Sequence, residues 1–81
     1  MALQVPGPAR AAWSALEGRD FDAVENLLAD LTERHRDGQA IDVAGSVDVG
    51  WYVVDVVAAG AVVAMLTRTP TDIIVLALGR T

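Results

Sequence analysis

The sequence predicts an all-α domain, a small bundle of about four helices over residues 9–17, 20–36, 47–67 and 70–79. Three observations lead to this prediction. Apolar residues recur at helical spacing in the first half, an apolar run follows that is too long for one strand, and a helix-start motif precedes the last apolar segment. A length of 81 residues allows one domain, so residues 1–81 are treated as a single unit.

The N-terminal segment, residues 1–8, contains two prolines and no hydrophobic periodicity, so we expect an irregular lead-in. It also lacks the basic and apolar regions of a secretory signal peptide. The first helix is expected to start near Pro8, because a first helical turn tolerates the missing N–H of proline. Its buried face follows the helical spacing i, i+3, i+4 and i+7: Ala9, Ala12, Trp13 and Leu16.

The second helix has the clearest amphipathic pattern in the chain. Asp20 is placed to cap it, since a carboxylate can accept hydrogen bonds from the free N–H groups of the first turn. Basic residues at 34–36 suit the negative end of the helix dipole, and Asp37-Gly38 is a stop signal. The apolar stripe consists of Phe21, Val24, Leu27, Leu28 and Leu31.

The apolar run over residues 49–66 has eighteen residues and a single charge, Asp55. Strands average about five or six residues, so the length of the run favours a helix. Its seven valines favour strands instead. We predict one continuous helix over 47–67. The alternative is an α/β fold with strands near residues 40–44, 51–57 and 72–78.

The motif Thr69-Pro70-Thr71-Asp72 precedes the last apolar segment. A threonine can cap a helix, proline fits the first turn, and an aspartate at the third position can reach back to the cap. This pattern predicts a helix over 70–79. The apolar sequence that follows also matches an interior strand, as the α/β alternative requires.

Charge divides the chain into two halves. Residues 1–48 carry four arginines against nine acidic residues, so the whole net charge of −5 lies there, and residues 49–81 are neutral. The acidic surplus argues against nucleic-acid binding, which needs Lys and Arg to neutralise phosphates. All six basic residues are Arg, which indicates a GC-rich, bacterial coding sequence.

Residue types that carry common enzyme chemistry are missing from the sequence. There is no Cys to serve as a thiolate nucleophile or metal ligand, and no Lys for a phosphate loop or Schiff base. The serines have no neighbouring His or Lys base. We therefore expect no enzymatic activity, no cofactor and no metal ion.

Three polar residues lie at or near the start of the apolar half. On a helix over 47–67, Asp48 and Asp55 share one face because they lie seven residues apart, and Tyr52 falls between them. A carboxylate in an apolar run needs a hydrogen-bond donor. We expect Tyr52, Trp51 or an Arg to supply it at the edge of a core. The alternative is a polar stripe of Asp48, Tyr52 and Asp55 that sets helix register in an oligomer.

The apolar half exceeds what the polar helix surface of this chain can enclose, so residues 49–66 need a second subunit or a larger partner. The small-xxx-small spacing of Gly60 and Ala64 permits close helix contact. We therefore expect a cytoplasmic, non-catalytic helical module for protein interaction, either a homo-oligomer or an accessory subunit. The expected interface comprises Trp51, Val54, Asp55, Ala58, Gly60, Ala61, Ala64, Met65, Ile73 and Ile74.

The alternative function is a small single-span protein of the inner membrane. As a helix, residues 49–66 would extend about 27 Å, close to the roughly 30 Å hydrocarbon core of a bilayer. Trp51 and Tyr52 would suit an interfacial belt at one end, and Arg68 would mark the cytoplasmic side at the other.

Overall fold

The computed structural model describes residues 2–80, and in this range two helices pack on a mixed five-stranded sheet. The fold is therefore α/β, and the predicted all-α four-helix bundle is wrong. In chain order the elements are β1 (Ala2–Gln4), α1 (Gly7–Ala15), α2 (Gly18–Arg36), β2 (Gly45–Asp48), β3 (Val53–Ala59), β4 (Val62–Arg68) and β5 (Asp72–Arg80).

The strand order in the sheet is β1-β5-β4-β3-β2, so β4 is the central strand. The last four strands form an antiparallel meander, and β1 pairs in parallel with β5. The β4–β5 register shifts between Met65 and Leu66, which pair with Ala77 and Val75. Leu76 is therefore an extra residue on β5, a β-bulge that bends the strand.

The continuous helix predicted over 47–67 is a β-hairpin preceded by the end of β2 and a loop. The run is long because it contains two seven-residue strands joined by a tight turn. Gly60 makes this turn possible. It has φ +62°, and the residues on either side of Gly60-Ala61, Ala59 and Val62, pair directly, so the loop has two residues. Positive φ at the first loop residue but not at the second is typical of a type II′ turn.

The helix predicted over 70–79 is also wrong, since these residues belong mostly to β5. The expected side-chain bond does exist: Thr69 Oγ1 accepts from the backbone N–H of Asp72 at 2.9 Å and of Thr71 at 3.3 Å. Ser and Thr make the same local bond in turns as at helix caps. The strand forms because β1 and β4 pair with β5 on its two sides.

The α/β alternative names the observed class but not every strand. Its strands near 51–57 and 72–78 overlap β3 and β5, whereas residues 40–44 lie in the connection between α2 and β2. The irregular lead-in predicted over 1–8 contains the strand β1. This strand forms by pairing with β5, which is distant in the sequence, so no local pattern indicates it.

The two N-terminal helices form within two residues of the predicted starts. The cap position differs, since Glu17 is the N-cap residue of α2 and makes no side-chain cap bond. Asp20 lies in the first turn and forms an ion pair with Arg80 at 3.3 Å. Trp13 and Phe21 stack between the helices with ring centroids 5.6 Å apart.

Both helices cover the same face of the sheet, and the hydrophobic core lies between the two layers. Burial alternates along the strands, as expected for a sheet covered on one side. The core consists of Val5, Ala9, Val24, Leu28, Leu31, Val57, Ala59, Val62, Ala64, Leu66, Ile73 and Val75.

Between residues 2 and 80, no helix has the length and apolar character needed to cross a bilayer. The segment 49–66 that the membrane alternative requires as a transmembrane helix forms the β2–β3 loop, β3 and most of β4.

Candidate functional site

The sheet face opposite the helices is apolar. Side chains alternate along each strand, so the residues between the buried core residues lie on this face. The core residues of α1 and α2 pack against the opposite face of the sheet. Val47, Met65 and Leu76 are 55%, 43% and 37% exposed. We call this surface the open face; it comprises Val47, Val54, Val56, Ala58, Val63, Met65, Ile74, Leu76 and Ala77.

Charged side chains of the described strands avoid the centre of the open face. By the same alternation, Asp48, Asp55, Arg68 and Arg80 belong to the helix side. Asp72 has the parity of the open face but stands at its corner, where the Gln4 side-chain amide donates to its carboxylate at 3.0 Å. The face therefore has an apolar centre and a polar corner.

An ion pair with a buried carboxylate ties three strands together at one end of the sheet. Asp55 on β3 is 4% exposed. Arg68 on β4 donates from Nε to Asp55 Oδ2 at 2.8 Å, and its Nη2 lies 2.8 Å from the same oxygen. The hydroxyl of Ser46 on β2 donates to Asp55 Oδ1 at 2.8 Å. Both carboxylate oxygens are thus hydrogen-bonded, which makes burial of the charge tolerable.

The polar stripe of Asp48, Tyr52 and Asp55 does not form, because no helix brings the three residues onto one face. Asp48 lies on β2 and accepts from the Gly50 backbone N–H at 2.8 Å. Tyr52 lies in the β2–β3 loop, edge-on to Trp51 with centroids 4.6 Å apart. Of the three expected donors to Asp55, the arginine is the one that contacts it. The Ser46 hydroxyl is a further donor, which the sequence did not predict.

A groove of about 990 Å³ lies beside this ion pair, and we call it the end groove. The β2–β3 loop and the β4–β5 turn border it, because β3 begins where its antiparallel neighbour β4 ends. Trp51 projects from the loop and is 88% exposed. The lining residues are Ser46, Trp51, Tyr52, Val53, Asp55, Thr67, Arg68, Thr69, Pro70, Ile74 and Leu76.

The end groove offers hydrogen-bond donors beside an apolar wall. Asp55 engages Nε and Nη2 of Arg68, so the guanidinium keeps further N–H donors for an acceptor in the groove. The aromatic pair and the aliphatic side chains provide an apolar wall. His35 fixes the end of α2 next to the β4–β5 turn, with its Nε2 2.8 Å from the carbonyl oxygen of Thr69.

Within residues 2–80, no three His, Cys, Asp or Glu side chains are grouped as a metal site requires. Asp55 is the buried carboxylate of the described chain. Both its oxygens accept hydrogen bonds from protein side chains, Oδ1 from Ser46 and Oδ2 from Arg68.

The expected interface residues separate into five places. Val54, Ala58, Met65 and Ile74 lie together on the open face, whereas Ala64 and Ile73 are buried under the helices. Gly60 and Ala61 form the hairpin turn at the opposite end, so the proposed helix–helix contact through Gly60 and Ala64 is wrong. Trp51 borders the end groove, and Asp55 forms the ion pair.

Five residues of the open face are not among the predicted interface residues. A period of two over 53–59 and 62–68 was the signal that could have found those on β3 and β4, because alternate residues of a strand share a face. The missed residues are Val47, Val56, Val63, Leu76 and Ala77.

Comparison of the chain with protein-family models, with curated proteins and with solved structures finds no match. The fold and the two surfaces define the chain as a two-layer α/β domain with one sheet face left open.

Proposed function

We propose that this chain is a non-catalytic interaction module that buries the open face of its sheet against another protein surface. The observation that carries the proposal is the contiguous apolar surface across β2 to β5. Monomeric proteins seldom expose apolar patches larger than a few hundred Å². Burying such area is favourable by about 25 cal/mol per Å².

The apolar run over residues 49–66 is covered by this chain on one side only. Helices α1 and α2 cover one side of the β3–β4 hairpin, and the partner is needed for the other. The cytoplasm is the location we propose, since a chain without Cys does not depend on an oxidising compartment.

Met65→Arg tests this proposal, because Met65 lies on the central strand of the open face. In the wild type, the open face is either buried in an assembly, which light scattering detects, or exposed, in which case it binds the apolar dye anilinonaphthalene sulfonate. We expect the arginine to reduce the assembled mass, measured by light scattering, or to reduce dye fluorescence at least several-fold. Circular dichroism would report an unchanged fold.

Asn26→Arg is the matched control, since it makes the same charge change at an exposed position of α2. It should leave mass and dye binding as in the wild type. A wild-type protein that is monomeric, binds no dye and responds alike to both substitutions would contradict the proposed function.

A second candidate function is binding of a small aromatic acid in the end groove. The observation that favours it is the juxtaposition of Trp51, 88% exposed, with the partly exposed Arg68 guanidinium. Arginine suits a carboxylate and an aromatic ring suits a flat apolar body. The volume lies at the upper end of the roughly 300–1,000 Å³ typical of ligand sites.

Titration with naphthoate tests this second function by NMR of the two indole N–H groups. The Trp51 signal should shift with ligand while that of Trp13, which lies between the helices, stays fixed. Trp51→Ala should weaken binding at least five-fold. Trp13→Phe is the control variant. Equal shifts of both indoles, or no saturation at millimolar naphthoate, would count against the groove as a ligand site.

A further inference from the structure

We propose that the surface covering the open face is a second copy of this chain, related by a two-fold axis so that the two sheets pack face to face. The inference rests on the proposed function, in which the open face is buried, and it names the partner. Each subunit would then be a helix layer and a sheet layer, and the dimer a four-layer α-β-β-α assembly.

The size of the open face approaches the requirement of a stable dimer. Its four strands, β2 to β5, have four, seven, seven and nine residues. At about 4.8 Å between strands and about 3.3 Å per residue they make a flat area of about 430 Å². Two subunits together bury about 860 Å² before the relief of the side chains is added, and specific interfaces start at about 1,000 Å².

The distribution of charge favours a copy of the same chain. In a two-fold interface each surface meets itself, so a charged residue near the axis would face its own charge. The net charge of −5 lies in residues 1–48, and by alternation the charged side chains of β3 and β4 belong to the helix side. The acidic helix α2 therefore stays on the outside of the dimer.

The open face also lacks the features that select a different partner. Specificity for an unlike protein commonly uses charge complementarity across the interface. The apolar centre of this face offers none, and its polar corner, Gln4 and Asp72, is already satisfied internally. An uncharged surface of aliphatic residues is complementary to itself.

The edges of the sheet are less suited to self-association than its face. The edge strands β1 and β2 have three and four residues, and short edge strands offer few unpaired backbone groups to a second chain. Face-to-face sheets instead lie about 10 Å apart with strand directions about 30° from parallel. Met65, on the central strand, is then closest to the axis.

Site-directed cross-linking tests this arrangement, and it uses the full chain, which contains no Cys. Met65→Cys introduces one thiol at the centre of the open face, and a short bis-maleimide can join two such thiols across a two-fold axis. We expect most of the protein to become a covalent dimer at micromolar concentration. Light scattering of the wild type should give twice the chain mass of 8.5 kDa.

Asn26→Cys places the same thiol on an exposed position of α2 and is the matched control, expected to stay a single chain. If Met65→Cys fails to fold by circular dichroism, Ala58→Cys on the neighbouring strand replaces it. A dimer that cross-links through Asn26 and not through either open-face cysteine would overturn the inference.

A monomeric wild type would also overturn it, and dye binding then separates the two ideas. A monomer that binds anilinonaphthalene sulfonate through the open face, with the loss expected for Met65→Arg, keeps the proposed interaction function and rejects the self-partner. A monomer without such binding rejects both.

Discussion

Leu66→Ala is expected to lower the free energy of unfolding by about 2–5 kcal/mol, the range for removing a buried leucine side chain. Leu66 lies on the central strand and is 0% exposed. It packs in one cluster with Leu31, Val57 and Ile73. A cavity between a pleated sheet and a helix closes poorly, because the backbone on both sides is held by hydrogen bonds.

Urea unfolding followed by circular dichroism measures this effect, at one fixed protein concentration because self-association adds to apparent stability. Val53→Ala is the control, since Val53 is a strand residue 45% exposed and should lose less than about 1 kcal/mol. If Leu66→Ala shifts the midpoint no more than Val53→Ala, the core is not where the structure places it.

Arg68→Met is expected to destabilise the fold by about 2–3 kcal/mol. The substitution leaves the carboxylate of Asp55, 4% exposed, with the Ser46 hydroxyl as its remaining side-chain partner. Breaking one side of a buried pair costs about 3–5 kcal/mol. We expect a loss of about 2–3 kcal/mol, below that range. The reason is that the Arg68 side chain is 35% exposed, so its own charge is partly solvated in the folded state.

The double variant Asp55→Leu with Arg68→Met should recover most of that loss. Replacing both members of a buried pair by apolar groups is often neutral or stabilising. The four proteins form a thermodynamic cycle, measured by urea unfolding, in which we expect a coupling free energy of at least about 1 kcal/mol. Strictly additive losses would show that the ion pair contributes nothing specific to the fold. Ser46→Ala removes only the hydrogen bond from the Ser46 hydroxyl to Asp55, and we expect it to lower the free energy of unfolding by about 1 kcal/mol.

The helices were predictable because the information that specifies them is local. The stripe over Phe21 to Leu31 repeats every three or four residues, and the Asp30–Arg34 pair, 3.0 Å apart, lies one helical turn apart. A helix satisfies its backbone hydrogen bonds within its own segment, so a window of fifteen or so residues contains most of the evidence.

The strands were not predictable in the same way, because their hydrogen bonds join distant residues. β1 and β5 pair across the whole chain, from Leu3 to Ile73. The length of the apolar run over 49–66 predicts a helix only if the run is counted as one uninterrupted element, with no turn at Gly60. Once that turn is placed, the valines on either side fit two ordinary strands.

The partners of Asp55 were likewise predictable only in part, because they come from different strands. The sequence alone showed that Asp55 needs a donor, since a charge in an apolar run is costly to bury. It could not choose among Tyr52, Trp51 and an arginine, because the choice depends on register. The pairing of β3 with β4 puts Arg68 beside Asp55, and the pairing of β2 with β3 puts Ser46 directly opposite.

By itself the sequence determined that an acidic amphipathic half is joined to a neutral, strongly apolar half, and it predicted that the apolar half has more surface than the chain covers. Only the tertiary structure decided how that surface is divided. Side chains alternate along a strand, so residues such as Val57 and Leu66 point to α1 and α2, whereas Val56 and Met65 lie on the open face. The composition counts both sets alike, but pairing of the strands sends them to opposite sides of one sheet.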